Sequence, residues 1–160
     1  MNIYSALKLL HLGAVILFLG NIITGLFWMR RADRTNDLSL ISFTMKGIIA
    51  SDKWFTIPGV IIITAGGFGA AVSGGLPLLR TGWIFWSIVL FSISGVVFAI
   101  KVVPLQQKVY KLTFSEAEGF DWSLYRSRLK EWERWGLIAL LTPLAAMAMM
   151  VLKIPVASIF

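Results

Sequence analysis

The sequence lacks cysteine altogether, contains one histidine, His11, and has only eight acidic residues among 160. Without cysteine, disulfide bonds, thiolate metal sites and a cysteine nucleophile are excluded. A conventional metal site needs three or four ligands, which one histidine does not supply without nearby carboxylates. Charged residues of either sign make up only 14% of the chain. The composition is therefore poor in the groups on which hydrolytic and metal-dependent enzymes rely.

Hydrophobic residues dominate the composition instead. They account for 58% of the chain, and the mean hydropathy is +0.80. These values are typical of a polytopic membrane protein, and the length suits one small membrane domain over residues 1–160. The net charge of +7 does not indicate nucleic-acid binding, because the basic residues lie in the connections between apolar segments, where anionic lipid headgroups are their natural partners.

Four apolar segments are long enough to cross a hydrocarbon core of about 30 Å as helices. They cover approximately residues 4–28, 54–75, 81–103 and 135–152. We expect the first to be retained rather than cleaved as a signal peptide, because it is too long and ends at Met29-Arg30-Arg31. The sequence therefore predicts an all-α fold, a bundle of four transmembrane helices.

The two long connections, residues 29–53 and 104–134, each contain an amphipathic segment. The first begins at Asn36 or Asp37, and its apolar residues recur at helical spacing at Leu38, Ile41, Met45, Ile48 and Ile49. The second, residues 121–134, has basic residues on one side and, on the other, Trp122, Tyr125, Leu129 and Trp132. We expect interfacial helices at the membrane surface, the second of which runs straight into the fourth span. Pro58 is expected in the first turn of the second span, and Pro104 is expected to mark a kink or an exit from the third.

Lysine and arginine are distributed unevenly between the two sides of the membrane. The first long connection holds five, and the second, counted from Lys101, holds seven, whereas the other side has only Lys8, Arg80 and Lys153. The positive-inside rule then places both long connections in the cytoplasm and both termini outside, in a bacterial inner membrane. In this orientation His11 lies toward the outer leaflet.

All carboxylates are expected on the cytoplasmic side, away from His11. They are Asp33, Asp37, Asp52, Glu116, Glu118, Asp121, Glu131 and Glu133. This separation argues against paired-carboxylate chemistry, a Ser/His/Asp hydrolase and an acidic proton relay through the spans.

One side of the first span combines small and polar residues and should face protein or a bound group, because unpartnered polar groups are costly in hydrocarbon. Its members are Lys8, His11, Ala14, Phe18, Asn21 and Gly25. His11 is a candidate ligand for a metal or haem iron, and the alternative is a histidine that only hydrogen-bonds a neighbouring helix. Asn21 and Thr24 are expected to hydrogen-bond across helices.

The second span has a side of small residues, which suits either close helix packing or the approach of a flat ligand. They are Thr64, Gly66, Gly67, Gly69, Ala70, Ala71, Ser73 and Gly74. A haem at His11 would lie between the first span and either this side or the start of the third span. The expected cofactor-binding residues are His11, Lys8, Phe18, Gly67, Trp83 and Arg80. A second axial ligand would be absent, a water, one of Met147, Met149 and Met150, or His11 of a second copy.

Several stretches resemble a known family over most of the chain. They are ALKLLHLGAVILFLGNIITGLFW, IPGVIIITAGGFGA, GWIFWSIVLFSISGVVF and VPLQQKV. They are similar to the small four-helix bacterial membrane proteins grouped as domain of unknown function 2269. The resemblance implies a four-helix membrane fold and brings no established activity.

A more distant resemblance is to HemJ-type protoporphyrinogen oxidases and to the membrane domain of copper-resistance D proteins. In the HemJ type, a first-span histidine binds haem b, and a Gly-Trp-Leu-His-Ala-Lys motif supplies a lysine needed for activity. His11 matches the histidine, whereas residues 82–87 match the motif with Phe85 in place of its histidine and Ser87 in place of its lysine. The resemblance implies haem binding through His11 but not the oxidase reaction.

The leading hypothesis is thus a membrane protein that binds haem b and has a redox or haem-handling role. One alternative is a non-catalytic membrane subunit whose segment 121–134 docks a partner protein. A weaker alternative is a small transporter, which the lack of charged residues inside the predicted spans disfavours. The small residues of the second span also make a homodimer reasonable.

Overall fold

The computed structural model describes residues 2–114 and 120–157, and four long helices account for most of them. These are α1 (Ile3–Asp33), α2 (Leu38–Ser73), α3 (Gly82–Phe114) and α4 (Trp122–Leu152), each long and apolar enough to cross a membrane. No strand occurs within the described ranges. The predicted all-α bundle of four helices is confirmed. Two of the carboxylates considered above, Glu116 and Glu118, lie outside the described residues.

The helices pack as two antiparallel pairs. Helix α1 lies along the second half of α2, and the first half of α3 lies along α4. The first half of α2 contacts the last part of α3, which joins the pairs at the end of the bundle that contains residues 34–37. Contacts between the pairs are fewer toward the other end, where His11 lies. The bundle is therefore tight at one end and divided by a cleft at the other.

Short polar side chains define where three of the helices begin. Asn2 accepts a hydrogen bond from the Ser5 backbone N–H, and Asp37 accepts from the N–H groups of the second and third residues of α2. Asp121 caps α4 in the same way through Ser123 and Leu124. Of the two capping residues considered for the first connection, Asp37 is the one used.

The Asp121 cap predicts an acid sensitivity of the fold. Hydrogen bonds from the Leu124 backbone N–H and from Ser123 hold the pKa of this exposed carboxyl below its ordinary value of 3.8. Because the folded-state pKa is the lower one, the stabilisation is complete above about pH 4 and is lost as the pH falls through the folded-state pKa. We expect Asp121→Asn to lose less helical circular dichroism than the wild type on acidification in detergent. Equal losses would contradict this prediction.

The segment predicted as a separate interfacial helix forms the first part of α2, with no break before the second span. Its apolar residues Ile41, Met45 and Ile48 are buried in the core of the protein itself. Lys53, which marks the end of the predicted connection, is exposed on the outer side of the continuous helix. A charge on the outer side ends the apolar surface but does not end the helix.

The aromatic segment 121–134 continues directly into the fourth span, as predicted, since α4 runs without interruption from Trp122 to Leu152. The side chains of Tyr125, Leu129 and Trp132 are at most 4% exposed. Their predicted clustering on one side of a helix is confirmed. The core thus covers the aromatic side, and the side with the exposed Arg126, Lys130 and Arg134 is the one that remains accessible to a partner protein.

Two π-helical turns interrupt otherwise regular α-helix, and each ends two residues before a proline. They are Asp52–Thr56 in α2, before Pro58, and Phe98–Val102 in α3, before Pro104. A proline lacks the N–H for the carbonyl four residues earlier, and its ring clashes with that carbonyl. A π-helical turn, which is wider than an α-helical one, accommodates both the missing N–H and the ring. Pro58 therefore lies in the first turn of the regular α-helix that follows the π-helical turn, as predicted, although α2 as a whole is continuous. Helix α3 continues through Pro104 rather than ending there.

Pro143 in α4 is accommodated differently. Its missing N–H would leave the carbonyl of Ala139 without a helical partner. The Ser94 hydroxyl of α3 donates to this carbonyl at 2.6 Å, and Ser94 is 1% exposed. A side chain of one helix thus repairs the hydrogen bonding of its neighbour.

We expect Ser94→Ala to lower the free energy of unfolding by about 1 kcal/mol, because it leaves the Ala139 carbonyl buried and unpaired. In a Pro143→Ala background the loss should be smaller, since residue 143 then has an N–H to offer. Unfolding in detergent micelles measures both values, with Ser92→Ala at an exposed position of the same helix as the control. Equal losses in the two backgrounds would show that the Ser94 hydroxyl does not compensate for the proline.

Candidate functional site

His11 lies where α1 crosses the glycine-rich part of α2. Its Nδ1 is 2.8 Å from the carbonyl oxygen of Ile63. A carbonyl only accepts, so Nδ1 carries the proton and donates. In the tautomer that donates from Nδ1, Nε2 carries no proton, and it has no partner among the described residues. His11 thus makes a cross-helix hydrogen bond through Nδ1 and keeps Nε2 available to a ligand.

The glycines of α2 make room for this histidine. A Cβ placed on Gly67 would lie 2.9 Å from both Cε1 and Nδ1 of the ring, and one on Gly66 would lie 3.4 Å from the His11 Cβ. Helix packing, one of the two interpretations of the small residues, is therefore confirmed. The imidazole fills the space between α1 and α2, so a flat group placed between these two helices would conflict with the contact.

A cavity of about 80 Å³ lies beside His11, between the two helix pairs. Phe18 of α1 and Phe91 of α3 form part of its wall and meet edge to face, with ring centroids 5.7 Å apart. Met147 and Met150 of α4 line the same cavity. The structure therefore brings the histidine and two thioethers to one apolar space, although they are far apart in the sequence.

The other expected cofactor-binding residues are outside this cavity. Lys8 is exposed, with its ammonium 5.9 Å from the centroid of the Tyr4 ring. Arg80 is exposed in the link between α2 and α3, and Trp83 is half-buried at the start of α3 without lining the cavity. Of the expected set, only His11, Phe18 and Gly67 come together.

Ser87, which occupies the position of the lysine in the HemJ-type motif, does line the cavity. It is 1% exposed, and its hydroxyl donates to the backbone carbonyls of Trp83 and Ala146. This side chain secures the contact between α3 and α4 and offers no amine to a ligand.

The cavity offers suitable iron ligands for haem, but it is too small for the porphyrin. A metal-binding histidine usually donates its second N–H to a carbonyl or carboxylate, as Nδ1 of His11 does, and methionine is a known axial partner. The volume of about 80 Å³ is well below the roughly 300–1,000 Å³ of small-molecule sites. A porphyrin would therefore require the two helix pairs to separate. Among the described residues no group of three or more His, Cys, Asp or Glu could hold a bare metal ion.

A second polar site lies at the π-helical turn of α2. Asp52 is 7% exposed, and its carboxylate accepts hydrogen bonds from Asn21 Nδ2 at 2.9 Å, from Thr56 Oγ1 at 2.7 Å and from Gln106 Nε2 at 2.7 Å. The predicted cross-helix bond of Asn21 is confirmed. That of Thr24 is wrong, because its hydroxyl bonds to carbonyls of its own helix.

A cavity of about 20 Å³ adjoins this cluster, which is the space of about one water molecule. It is lined by Asn21, Asp52 and Gln106, and by Trp132 of α4, whose indole N–H is buried without a partner. All four helices therefore contribute a polar side chain. No ion pair neutralises Asp52 within the described ranges, where the ion pairs are Arg30–Glu133 and Arg128–Glu131.

The sequence contained a signal for the Asp52 site, which was missed because residues 29–53 were interpreted as a connection between two spans. The buried residues of α2 recur every three or four positions, without a gap at the predicted boundary, at Ile41, Met45, Ile48, Asp52, Thr56, Gly59, Ile63, Gly66 and Ala70. Asp52 thus lies on the same side of the helix as the buried residues before and after it in the sequence. This spacing predicts both a continuous helix and a buried carboxyl.

Comparison with known proteins places most of the chain in one family. No curated protein and no solved structure matches it. The family model described as predicted integral membrane protein, DUF2269, matches residues 5–154. Four helices of sufficient length and apolarity agree with that description. The chain is therefore a multi-pass integral membrane protein and belongs to the DUF2269 family.

Proposed function

We propose that this membrane protein binds haem b through His11, in the cleft between the two helix pairs. The observation that supports the proposal is the hydrogen bond from Nδ1 to the Ile63 carbonyl, which orients the ring and leaves Nε2 free to bind iron. Apart from His11 and Ser87, the cleft is lined by apolar side chains, which suits a porphyrin, and Met147 or Met150 would be a second residue to hold the group. Bound haem would supply one-electron redox chemistry, in keeping with a redox or haem-handling role.

The residues around the cleft would act by binding and by excluding water. Phe18 and Phe91 would lie against the macrocycle, and the tight contact of Gly67 would hold the imidazole in place. Entry of the group requires α1 and α2 to move away from α3 and α4. The few contacts between the pairs at this end make such a separation less costly than it would be at the other.

The visible spectrum of the purified protein tests this proposal. After haem-replete expression and purification in mild detergent, we expect a Soret band that is lost in His11→Ala and retained, with altered reduced bands, in Met147→Leu or Met150→Leu. Circular dichroism and gel filtration confirm that each variant is folded. A colourless wild type, or a Soret band unchanged in His11→Ala, would overturn haem binding at this residue.

We further propose that the end of the bundle with residues 34–37 faces the cytoplasm of a bacterial inner membrane. The support is the excess of lysine and arginine there. Because the chain has no cysteine, the single variants Asn36→Cys and Leu79→Cys give clean reporters on the two exposed links. A membrane-impermeant maleimide applied to intact spheroplasts should label Leu79→Cys and spare Asn36→Cys. The opposite pattern would reverse the orientation.

A second candidate function is proton transfer at Asp52. It is favoured by a buried carboxylate without a cationic partner, surrounded by polar side chains from all four helices. Lys53 and Lys101 are exposed, and Arg30 pairs with Glu133, so none of them neutralises Asp52. A bound proton would remove the uncompensated charge, and a water in the adjoining cavity would accept from the Trp132 indole and connect it to the carboxylate.

Proteoliposomes with an entrapped pH-sensitive dye test the second candidate. An imposed potential should drive proton flux in the wild type and not in Asp52→Asn, whereas Asp37→Asn, at an exposed helix cap, should behave like the wild type. Absence of flux in the wild type, or equal flux in Asp52→Asn, would eliminate this candidate.

A further inference from the structure

An open groove of about 410 Å³ runs along the outside of the bundle between α1 and α4, and neither His11 nor Asp52 lines it. Its apolar part is formed by Ile23 and Phe27 of α1 and by Leu137 of α4, all of them exposed. Its other end is formed by Arg30, Arg31 and Arg34. Over about three turns of helix, the lining of the groove thus changes from apolar side chains to three arginines.

Two of the three arginines are available to a ligand. The Nε of Arg30 donates to Glu133 at 2.8 Å, which partly neutralises it. The side chains of Arg31 and Arg34 are exposed and take part in no ion pair among the described residues. Arg31 is in the last turn of α1, and Arg34, three positions later, is its C-cap residue with helical backbone angles, so the two face the same side.

We propose that this groove binds an anionic phospholipid. Its phosphate would lie between Arg31 and Arg34, and one acyl chain would lie along Ile23, Phe27 and Leu137. Guanidinium groups bind phosphate through paired hydrogen bonds, and basic pockets between membrane helices are typical headgroup sites. A soluble phosphate compound would use the arginines but not the apolar part. A zwitterionic lipid would use the apolar part, but the cation of its own headgroup repels the arginines and offsets the attraction of its phosphate. The combination selects an anionic lipid, independently of any function of His11 or Asp52.

Lipid retention by the purified protein tests the proposal. Protein in neutral detergent is mixed with phosphatidylglycerol or phosphatidylcholine, and bound lipid is counted by native mass spectrometry while the unfolding midpoint is measured. We expect preferential retention of phosphatidylglycerol and a higher midpoint with it. The double variant Arg31→Gln/Arg34→Gln should bind it roughly 30-fold more weakly, from the usual contribution of two basic side chains near an anionic surface.

Lys130→Gln/Arg134→Gln is the matched control, because it removes the same charge from exposed positions of α4 outside the groove. This control should retain phosphatidylglycerol like the wild type. If both double variants lost phosphatidylglycerol equally, retention would depend only on net charge, and a specific site would be overturned. Protection by glycerol 3-phosphate as strong as that by phosphatidylglycerol would show that the apolar part is not used, and would overturn a lipid as the occupant.

Discussion

Replacing Asp52 with alanine is expected to lower the free energy of unfolding by about 3 kcal/mol, the largest effect of any single substitution considered for this protein. The change leaves Gln106 Nε2 and the Thr56 hydroxyl buried without their acceptor, and each such orphaned donor costs about 1–3 kcal/mol. Asn21 loses one of its two partners and keeps the other, Thr56 Oγ1. Equilibrium unfolding in micelles, followed by tryptophan fluorescence, measures the loss.

Two asparagine variants separate the contribution of the cluster from that of charge alone. Asp52→Asn keeps the shape and one carbonyl acceptor, so we expect it to cost less than Asp52→Ala. Asp37→Asn makes the same chemical change at an exposed helix cap, where asparagine caps as well as aspartate, and should be nearly neutral. If Asp52→Ala were no more costly than Asp37→Asn, the polar cluster would not be a stabilising element of the bundle.

Gly67→Ala is expected to have the second largest effect, a loss of about 2 kcal/mol from overpacking. The new Cβ would lie 2.9 Å from two atoms of the His11 imidazole. Either the ring turns and loses its bond to the Ile63 carbonyl, or α1 moves away from the half of α2 along which it packs. Unfolding measurements report the loss, and in a haem-loaded protein the Soret band should weaken as well.

Gly13→Ala is the matched control for this substitution, because no atom lies within 4 Å of a Cβ placed on Gly13. Alanine is the better helix former, so this variant should be neutral or more stable by up to about 1 kcal/mol. A Gly67→Ala protein as stable as Gly13→Ala would mean that α1 and α2 adjust freely, and that glycine is not needed beside His11.

The sequence predicted the helices and their buried sides because this information is local. Apolar residues at a spacing of three and four positions fix which side of a helix avoids solvent or lipid, whatever its neighbour is. The segments 38–49 and 121–134 were identified from that spacing, and their stripes are the buried ones. The attachment of segment 38–49 was misjudged because Lys53 was taken as a boundary, whereas an exposed charge is compatible with an uninterrupted helix. That of segment 121–134 to the fourth span was predicted correctly.

The family was also within reach of the sequence, since motifs along most of the chain indicated DUF2269 and the family match covers residues 5–154. The proline positions are a further local signal. A proline inside an apolar run predicts a local disturbance, but the sequence does not say whether a widened turn absorbs it, as before Pro58, or a neighbouring hydroxyl, as at Pro143.

What only the tertiary structure decided is which polar groups meet. Asp52 and Gln106 are 54 positions apart, and His11 and Ile63 are 52 apart, so no periodicity within one segment pairs them. The pairing depends on the register in which two antiparallel helices pack, and that register is set by the fit of small residues such as Gly66 and Gly67 against the facing helix. The sequence by itself thus determined four membrane helices and their inner sides. Their packing decided that the inner sides contain a buried carboxylate at one level and a histidine beside an apolar cleft at another.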